Sequence, residues 1–593
     1  MPLPAPPFIL LDDARAGGAP ARLYADPVEI VAAASPAQVG PALERLRAAR
    51  RRGLHAAGYL SYEASGGLIP EAGVQAAAPA DAPLLWFGLF SGYREIAQEA
   101  VPALLPDPAG AWAGPPEPLV ERRAYEAAFA RVAGYIAAGD IYQANLTFRA
   151  AVRHAGSAPA LYALLRTRAR AGYGALVATG TRWLLSFSPE LFFALEGGRL
   201  TVRPMKGTAV RGANPAADES AARALAGDEK QRAENLMIVD LMRNDLSRVA
   251  RPGSVAVPRL FEVERYPTVH QMVSTVAAEL AQGLDAIDAL AALFPCGSVT
   301  GAPKIRAMQV ISEVEASPRG VYTGAIGRLD ASGDAMFNVA IRTLASEEPG
   351  RALLGLGSGV VADSRGAQEW DECLAKGAFV TAGETPFDLI ETMRFDPDKG
   401  IALIERHLAR IKASALAFGF AFDRHNARNE LQAATFRLRR PARVRLLLAP
   451  SGALSIGIAP LPGPAAAPVA VAVAPLPVAP DDFRLRHKTS RRRFLDQARA
   501  ESGAWEILFT DPEGFLTEGS FTTVFVERDG VLVTPPLARG LLPGVLRAEL
   551  IESGRAVEGD LRPVDLAGGF LLGNALRGLV AAVTVAEGAK ADV

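Results

Sequence analysis

The chain has 593 residues, half of them apolar, and a formal net charge of -1. That length calls for about three to four folding units, and so even a balance of charge leaves no footprint for a nucleic acid. Two cysteines, Cys296 and Cys373, are too few for a disulfide framework or a cysteine-rich zinc site, and a cytoplasmic protein is expected.

The opening Met1-Pro-Leu-Pro-Ala-Pro-Pro7 lacks the basic n-region of a signal peptide. Residues 1–120 are rich in alanine and proline, and Leu84 to Phe90 reads as a strand. A helix is expected from Arg122 to Ala138, where Tyr125, Phe129, Val132 and Ile136 make an apolar stripe and Gly139 ends it. Strands follow at Trp183 to Phe187 and Leu191 to Leu195, then a long helix from Glu229 to Val249. Motifs crowd residues 139–376 and then stop. The pattern restarts near Thr381 with a strand, Phe387 to Phe395, and a helix, Arg406 to Ala417. Pro460 to Pro480 has the composition of a linker, but Val469 to Val473 alternates like a strand, so a subdomain junction is placed there. The longest apolar stretch, Pro464 to Pro480, is broken by Pro468, Pro475 and Pro477 and is too weak to span a bilayer. The expected division is 1–120, 121–380, 381–480 and 481–593.

Lysine is scarce, eight residues against 55 arginines, with none before Lys206. An amine can attack carbon or form a Schiff base, which a guanidinium that stays protonated cannot. Lys206, in Arg203-Pro-Met-Lys-Gly-Thr208, and Lys488, in His487-Lys-Thr-Ser-Arg491, are therefore candidate catalytic residues. Carboxylates supply a second signal. Glu234 lies on one helical face with Leu241 and Asp245, and Glu369-Trp-Asp-Glu372 places two carboxylates on another. With no His or Cys nearby, such oxygen ligands suit Mg2+. Small-residue loops, Phe294 to Lys304, Gly324 to Gly327 and Gly355 to Gly359, would let backbone N–H groups approach an anion. Arg342 could clamp a carboxylate with two hydrogen bonds.

With these blocks in order, residues 121–380 resemble the chorismate-utilising enzymes. The matching stretches are Gly139 to Leu146, Ser188-Pro-Glu190, the Glu234 helix, Tyr266-Pro-Thr-Val-His270, the Pro295 to Lys304 loop and the Glu369 helix. The water-using branch of that family carries a lysine where Gln143 stands, and anthranilate synthases carry alanine where Lys206 stands. The resemblance therefore falls on the aminodeoxychorismate synthase branch. It implies Lys206 as nucleophile and Glu190 as general acid. It also implies a Mg2+ site at Glu234, Glu369 and Glu372, with substrate contacts from His270, Thr300, Tyr322, Arg342, Gly357 and Lys376. For His270 a satisfied core histidine is an equal reading.

From residue 383 onward the chain resembles the fold-type-IV pyridoxal phosphate enzymes, through Glu391 to Arg394, Arg406 to Arg410, Lys488, Thr517 to Ser520, Gly540 to Arg547 and Asn574 to Gly578. This implies that Lys488 binds the cofactor, that Glu518 pairs with its pyridine nitrogen, and that Arg410 with the Gly544–Val545 backbone holds its phosphate. The family's longer N-terminal strand is missing, so that edge is trimmed or replaced.

The fold expected is α+β: an anthranilate-synthase-like β-sandwich with helices, then a two-subdomain fold-type-IV domain. The function expected is conversion of chorismate and ammonia to 4-amino-4-deoxychorismate, then elimination of pyruvate to give 4-aminobenzoate. Neither cysteine sits in a glutaminase-like turn, so ammonia would come from solution or from a separate glutamine amidotransferase subunit. No nucleic-acid or membrane partner is expected, and a homodimer would form through the second cassette. The competing readings are an anthranilate synthase component fused to an aminotransferase, and a non-catalytic chorismate-binding partner.

Overall fold

A computed structural model describes residues 3–74, 82–266 and 269–585. It divides into two compact units: Met1–Pro106, Pro115–Val152 and Tyr162–Ala382 form the first, and Asp107–Gly114, Arg153–Leu161 and Gly383–Val593 the second. Among the described residues no helix is long and apolar enough to cross a membrane.

Two large, mostly antiparallel sheets build the first unit. One runs through Leu85–Phe90, His55–Leu60, Ala325–Leu329, Ala335–Val339, Leu191–Glu196, Arg199–Arg203 and Val269–Glu279 to the edge strand Met205–Val210. The other includes Phe8–Asp12, Tyr173–Ala178, Trp183–Ser188, Thr343–Glu348 and Arg351–Val360. Their facing sides meet in an apolar layer: Ile9, Tyr24, Ala175 and Leu184 from one sheet against Tyr59, Trp86, Phe90 and Ile326 from the other. Half-buried strands satisfy each backbone group in the ladder and each apolar side chain across the layer, which is the sandwich solution. The outer face of the first sheet is covered by the helices Pro36–Arg51, Glu229–Ser247 and Ala286–Leu293, through Leu43, Leu46, Ile238, Met242 and Leu290.

The expected elements Arg122–Ala137, Glu229–Ser247 and Gly366–Gly377 are helical, Trp183–Ser188 and Leu191–Glu196 are strands, and a further helix, Lys304–Val314, follows the Pro295 to Lys304 loop. In the second unit Leu389–Asp396 is a strand, Ile404–Phe418 a helix and Val469–Pro475 a strand, so the proline-rich stretch enters a sheet where its residues alternate. A four-stranded antiparallel sheet (400–401, 389–396, 442–448, 454–460) carries two helices on one face. An eight-stranded mixed sheet holds 516–519, 506–510, 469–475, 578–584, 570–574, 523–528, 531–534 and 556–558 in that order.

The shortened edge before Phe387 has a physical counterpart. Trp112, far upstream in sequence, is buried in the core of the smaller sheet, its ring centroid 5.0 Å from that of Phe418 and edge-on to Phe387. Burial of so large a ring dominates a small core. Trp112→Ala should destabilise the second unit by about 3–5 kcal/mol, read as a lower first transition in thermal unfolding; an unchanged transition would show that the ring is dispensable there.

Candidate active sites

In the first unit, the Ser188-Pro-Glu190 turn is pinned where two strands meet. Ser188 Oγ donates to Val339 O at 2.6 Å and accepts from the Glu190 N–H at 3.2 Å. This buries the Glu190 carboxyl, whose Oε1 accepts from Ser298 Oγ at 2.6 Å. Burial raises its pKa to about 7, although Ser298, the Met205 N–H, Lys376 and Lys206 all favour the charged form.

Lys206 lies on the edge strand Met205–Val210 with Nζ 3.3 Å from Glu234 Oε2 on the facing helix. The glycine strand Arg351–Val360 allows that approach: a Cβ on Gly359 would stand 2.7 Å from Lys206 Nζ. Nearby, Lys376 Nζ pairs with Glu372 at 2.7 Å and donates to Gly357 O at 2.9 Å. Burial raises the Glu372 pKa, but Lys376 and Lys206 outweigh it and the net direction is down. The Tyr322 ring lies over Gly355 on the same strand. Glu190, Lys206, Glu234, Gly357, Glu372 and Lys376 thus come together.

Two further groups make no hydrogen bond or ion pair among the described residues. Gln143 is fully buried beside Gly359, and both of its amide atoms lack a hydrogen bond. Such an orphan signals a ligand. Arg342 has φ +49, a left-handed conformation that a non-glycine residue adopts only under constraint. Its guanidinium pairs with no carboxylate among the described residues, and burial pushes its pKa down.

Other expected contacts sit differently. The Thr300 hydroxyl turns back into its own loop, donating to Cys296 O and Gly297 O. His270 is fully buried, with Nε2 2.9 Å from Asp218 Oδ1, which Arg211 also holds; among the described residues Nδ1 has no hydrogen-bond partner. The core reading describes its Nε2. The residues Pro267 and Thr268 of that motif lie outside the described ones. The acidic trio does not gather as written: among the described residues no three His, Cys, Asp or Glu side chains form a metal-holding group. Glu234 and Glu372 reach the site as lysine-paired carboxylates from two helices, whereas the charge of Glu369, one turn before Glu372, is felt at Tyr125.

The second unit contains a cavity of about 650 Å³ lined by Lys488, Glu518, Arg410, Gly544 and Val545 among others. Burial lowers the Lys488 pKa to about 7, helped by Arg410, and raises that of Glu518 to about 8 against the pull of Arg492. Arg410 is aimed by two bonds to Glu391, at 2.8 and 2.6 Å. His407 Nδ1 lies 2.6 Å from the same carboxylate, and although burial raises the Glu391 pKa, the Arg410 charge and the hydrogen bonds from His407 and Arg410 bring it down to about 2. The helix Val545–Glu552 begins at Gly544, where a Cβ would meet Thr523 Oγ1 at 2.9 Å, so the helix start stays open to an anion.

Glu391 and His407 fall inside sequence motifs that give them no role, and Ser298 carries no local signal of its contact with Glu190. Glu506, also unforeseen, is fully buried and accepts from the Ser520 N–H and hydroxyl, the Phe521 N–H and the Thr522 hydroxyl, fixing the loop that presents Glu518.

Comparison with known proteins follows this division. The chorismate binding enzyme family matches residues 6–382. The chain belongs to that family. Amino-transferase class IV matches residues 388–585. Aminodeoxychorismate synthase component 1 of Klebsiella aerogenes is 44% identical over 257 residues, 43% of this chain and 57% of that protein. Anthranilate synthase component 1 of Streptomyces coelicolor is 44% identical over 255 residues, 43% of this chain and 50% of that protein. The chain thus spans little more than half the length of these curated relatives. Among solved structures, anthranilate synthase component I from Streptococcus pneumoniae TIGR4 matches with a TM-score of 0.52 and 26% identity, over 64% of this chain and 93% of that one. As a chorismate binding enzyme the chain has the family's sandwich, and both synthase types lie equally near it. Overall similarity therefore does not choose the chemistry, and the side chains at the site must.

Proposed function

We propose that the first unit aminates chorismate to 4-amino-4-deoxychorismate and that the second eliminates pyruvate from this product to give 4-aminobenzoate. The observation that carries the reading is a buried carboxyl, Glu190, with a pKa near 7, near enough to the amine of Lys206 to feel its charge. An acid and a nucleophile there can displace a hydroxyl. The Lys206 lone pair would bond to ring carbon 2 while both conjugated ring double bonds shift toward carbon 4 and the carbon-4 hydroxyl leaves as water, taking its proton from Glu190. Ammonia would then bond to carbon 4, the double bond would return, and the carbon–nitrogen bond to Lys206 would break. Attack requires the Lys206 amine to turn away from Glu234.

Arg342, without a protein carboxylate, suits a carboxylate of the substrate, and Gln143, with both amide atoms free, suits the incoming ammonia. Tyr322, Gly357 and Lys376 would line the substrate. Glu234 and Glu372 fit Mg2+ as two carboxylate ligands, since this ion commonly uses one or two and keeps water for the rest. The ion would neutralise the ring carboxylate. Glu234→Gln or Glu372→Gln should lower synthase turnover by at least about 100-fold while lyase activity on supplied aminodeoxychorismate stays unchanged; loss of both activities would mean misfolding instead.

In the second unit Lys488, Glu518, Arg410 and the Gly544–Val545 backbone fit pyridoxal phosphate, which supplies an electron sink when bound. Arg410 and the open helix start would hold its phosphate and Glu518 its ring nitrogen. Lys488, released by the substrate amine, would carry the carbon-4 proton. Ammonia would come from solution or from a separate glutamine amidotransferase, the partner that "component 1" relatives suggest. A fusion of anthranilate synthase with an aminotransferase is the second reading, favoured by the equal identity to that synthase. Incubation with chorismate, ammonia and Mg2+ decides between them: 4-aminobenzoate supports the first reading and anthranilate the second.

A further inference from the structure

The cavity of the second unit has more positive charge than a cofactor requires. Among the described residues nine arginine or lysine side chains line it, against two carboxylates, Asp496 and Glu518. Several are already engaged: Arg410 with Glu391, Arg547 with Glu558, and Arg492 with Ser520 O at 2.8 Å. Arg443, Arg445, Arg499 and Arg577 pair with no carboxylate among the described residues.

These four stand in two groups. Arg443 and Arg445 alternate along the strand Ala442–Leu448, so both project from the face that also carries Thr392, while Val444 and Leu446 fill the core behind. Arg445 lies near enough to Lys488 for its charge to lower the pKa of that amine. Across the cavity Arg499 comes from the helix Arg493–Ser502 and Arg577 from the turn after Asn574. Arg499 has its Nε buried without a hydrogen-bond partner among the described residues and its guanidinium 5.4 Å from the Phe521 ring centroid; Arg577 lies 5.6 Å from that of Trp505. Aromatic contacts orient both, yet neither supplies an anion. Arg443 and Arg445 are exposed to the cavity and Arg577 also donates to Gly463 O at 3.3 Å; guanidiniums gathered without carboxylates stay protonated, so together they attract an anionic ligand.

We infer that this cavity recognises its substrate as a dianion, one carboxylate going to Arg445 and the other to Arg499 and Arg577, with the reacting amine between them at Lys488. The inference rests on the reading of the second unit as a pyridoxal phosphate enzyme and narrows its substrate class to amines that bear two carboxylates. Aminodeoxychorismate is such a molecule, with a ring carboxylate and an enolpyruvyl carboxylate. A monocarboxylic amino acid would leave one wall unsatisfied, which separates this cavity from a general amino-acid aminotransferase.

The test uses the full chain loaded with pyridoxal phosphate and supplied with aminodeoxychorismate. Arg445→Met and Arg577→Met should each raise KM by about 10–100-fold, the worth of a hydrogen bond to a charged group, with the cofactor absorbance band unchanged. Benzene-1,3-dicarboxylate should inhibit the unmodified chain at least about tenfold more tightly than benzoate, and that preference should vanish in Arg445→Met. KM values within about twofold of the original in both variants, or equal inhibition by the two acids, would overturn the inference. So would loss of the cofactor band in the variants, because the arginines would then be serving the cofactor. Absence of the band from the unmodified chain would instead sink the cofactor reading itself.

Discussion

Lys488→Ala should stop 4-aminobenzoate formation while aminodeoxychorismate still accumulates from chorismate and ammonia. The cofactor's covalent attachment needs an amine, and Lys488 is the only lysine between Lys412 and Lys590. Its burial lowers the pKa to about 7, so a large neutral fraction exists at working pH, as a nucleophile and proton carrier requires. Loss of the proton transfer alone costs about 10²–10⁴ in rate, and loss of the attachment adds to that. The unmodified protein should show the yellow band of a lysine-bound cofactor, removable by borohydride, and the variant should not. Turnover by the first unit provides the internal control, since Lys488 belongs to the other compact unit. Undiminished 4-aminobenzoate from the variant would remove Lys488 from the chemistry.

Much of this was legible because particular residues carry strong local signals. The scarcity of lysine makes Lys206 and Lys488 stand out; Lys488 lines the cavity of the second unit and Lys206 pairs with Glu234. Periodicity places the helices at Arg122, Glu229 and Ile404 within about two residues, because each buries one stripe against its neighbours. Long-range pairing was not legible. Nothing in the sequence around Trp112 announces that it packs on Phe387 and Phe418, since the partners lie hundreds of residues apart. Spacing along one helix put Glu369 and Glu372 on a common face, but only the fold decides which reaches the pocket, and there Glu372 meets Lys376 while Glu369 is sensed at Tyr125. Thr300 was read as a contact from its loop, yet a threonine can satisfy its hydroxyl on its own backbone, and this one does. Ser298 and Glu506 escaped notice for a related reason: their roles come from what they bond to across the fold, at Glu190 and at the Ser520 loop.

That Ser298 contact shapes the second large effect. Glu190→Gln should lower synthase turnover by about 10²–10⁴, the usual contribution of a positioned acid, with lyase activity on supplied aminodeoxychorismate unaffected. Glu190 must be protonated to release the hydroxyl as water. A glutamate at its ordinary pKa of about 4.3 would almost always be ionised at neutrality, whereas burial holds this one near 7. The acid form therefore predominates below pH 7, and the rate should fall about tenfold per pH unit above it. Ser298 donates to the ionised carboxylate and so favours it. Removing that donor raises the pKa further, and Ser298→Ala should move the alkaline limb to higher pH while leaving the acid-side rate nearly intact. Glu190→Gln should erase the limb altogether, because glutamine does not titrate. A pH profile that keeps its limb in Glu190→Gln would assign the proton to another group. A limb unmoved in Ser298→Ala would mean that the 2.6 Å contact does not govern the acid.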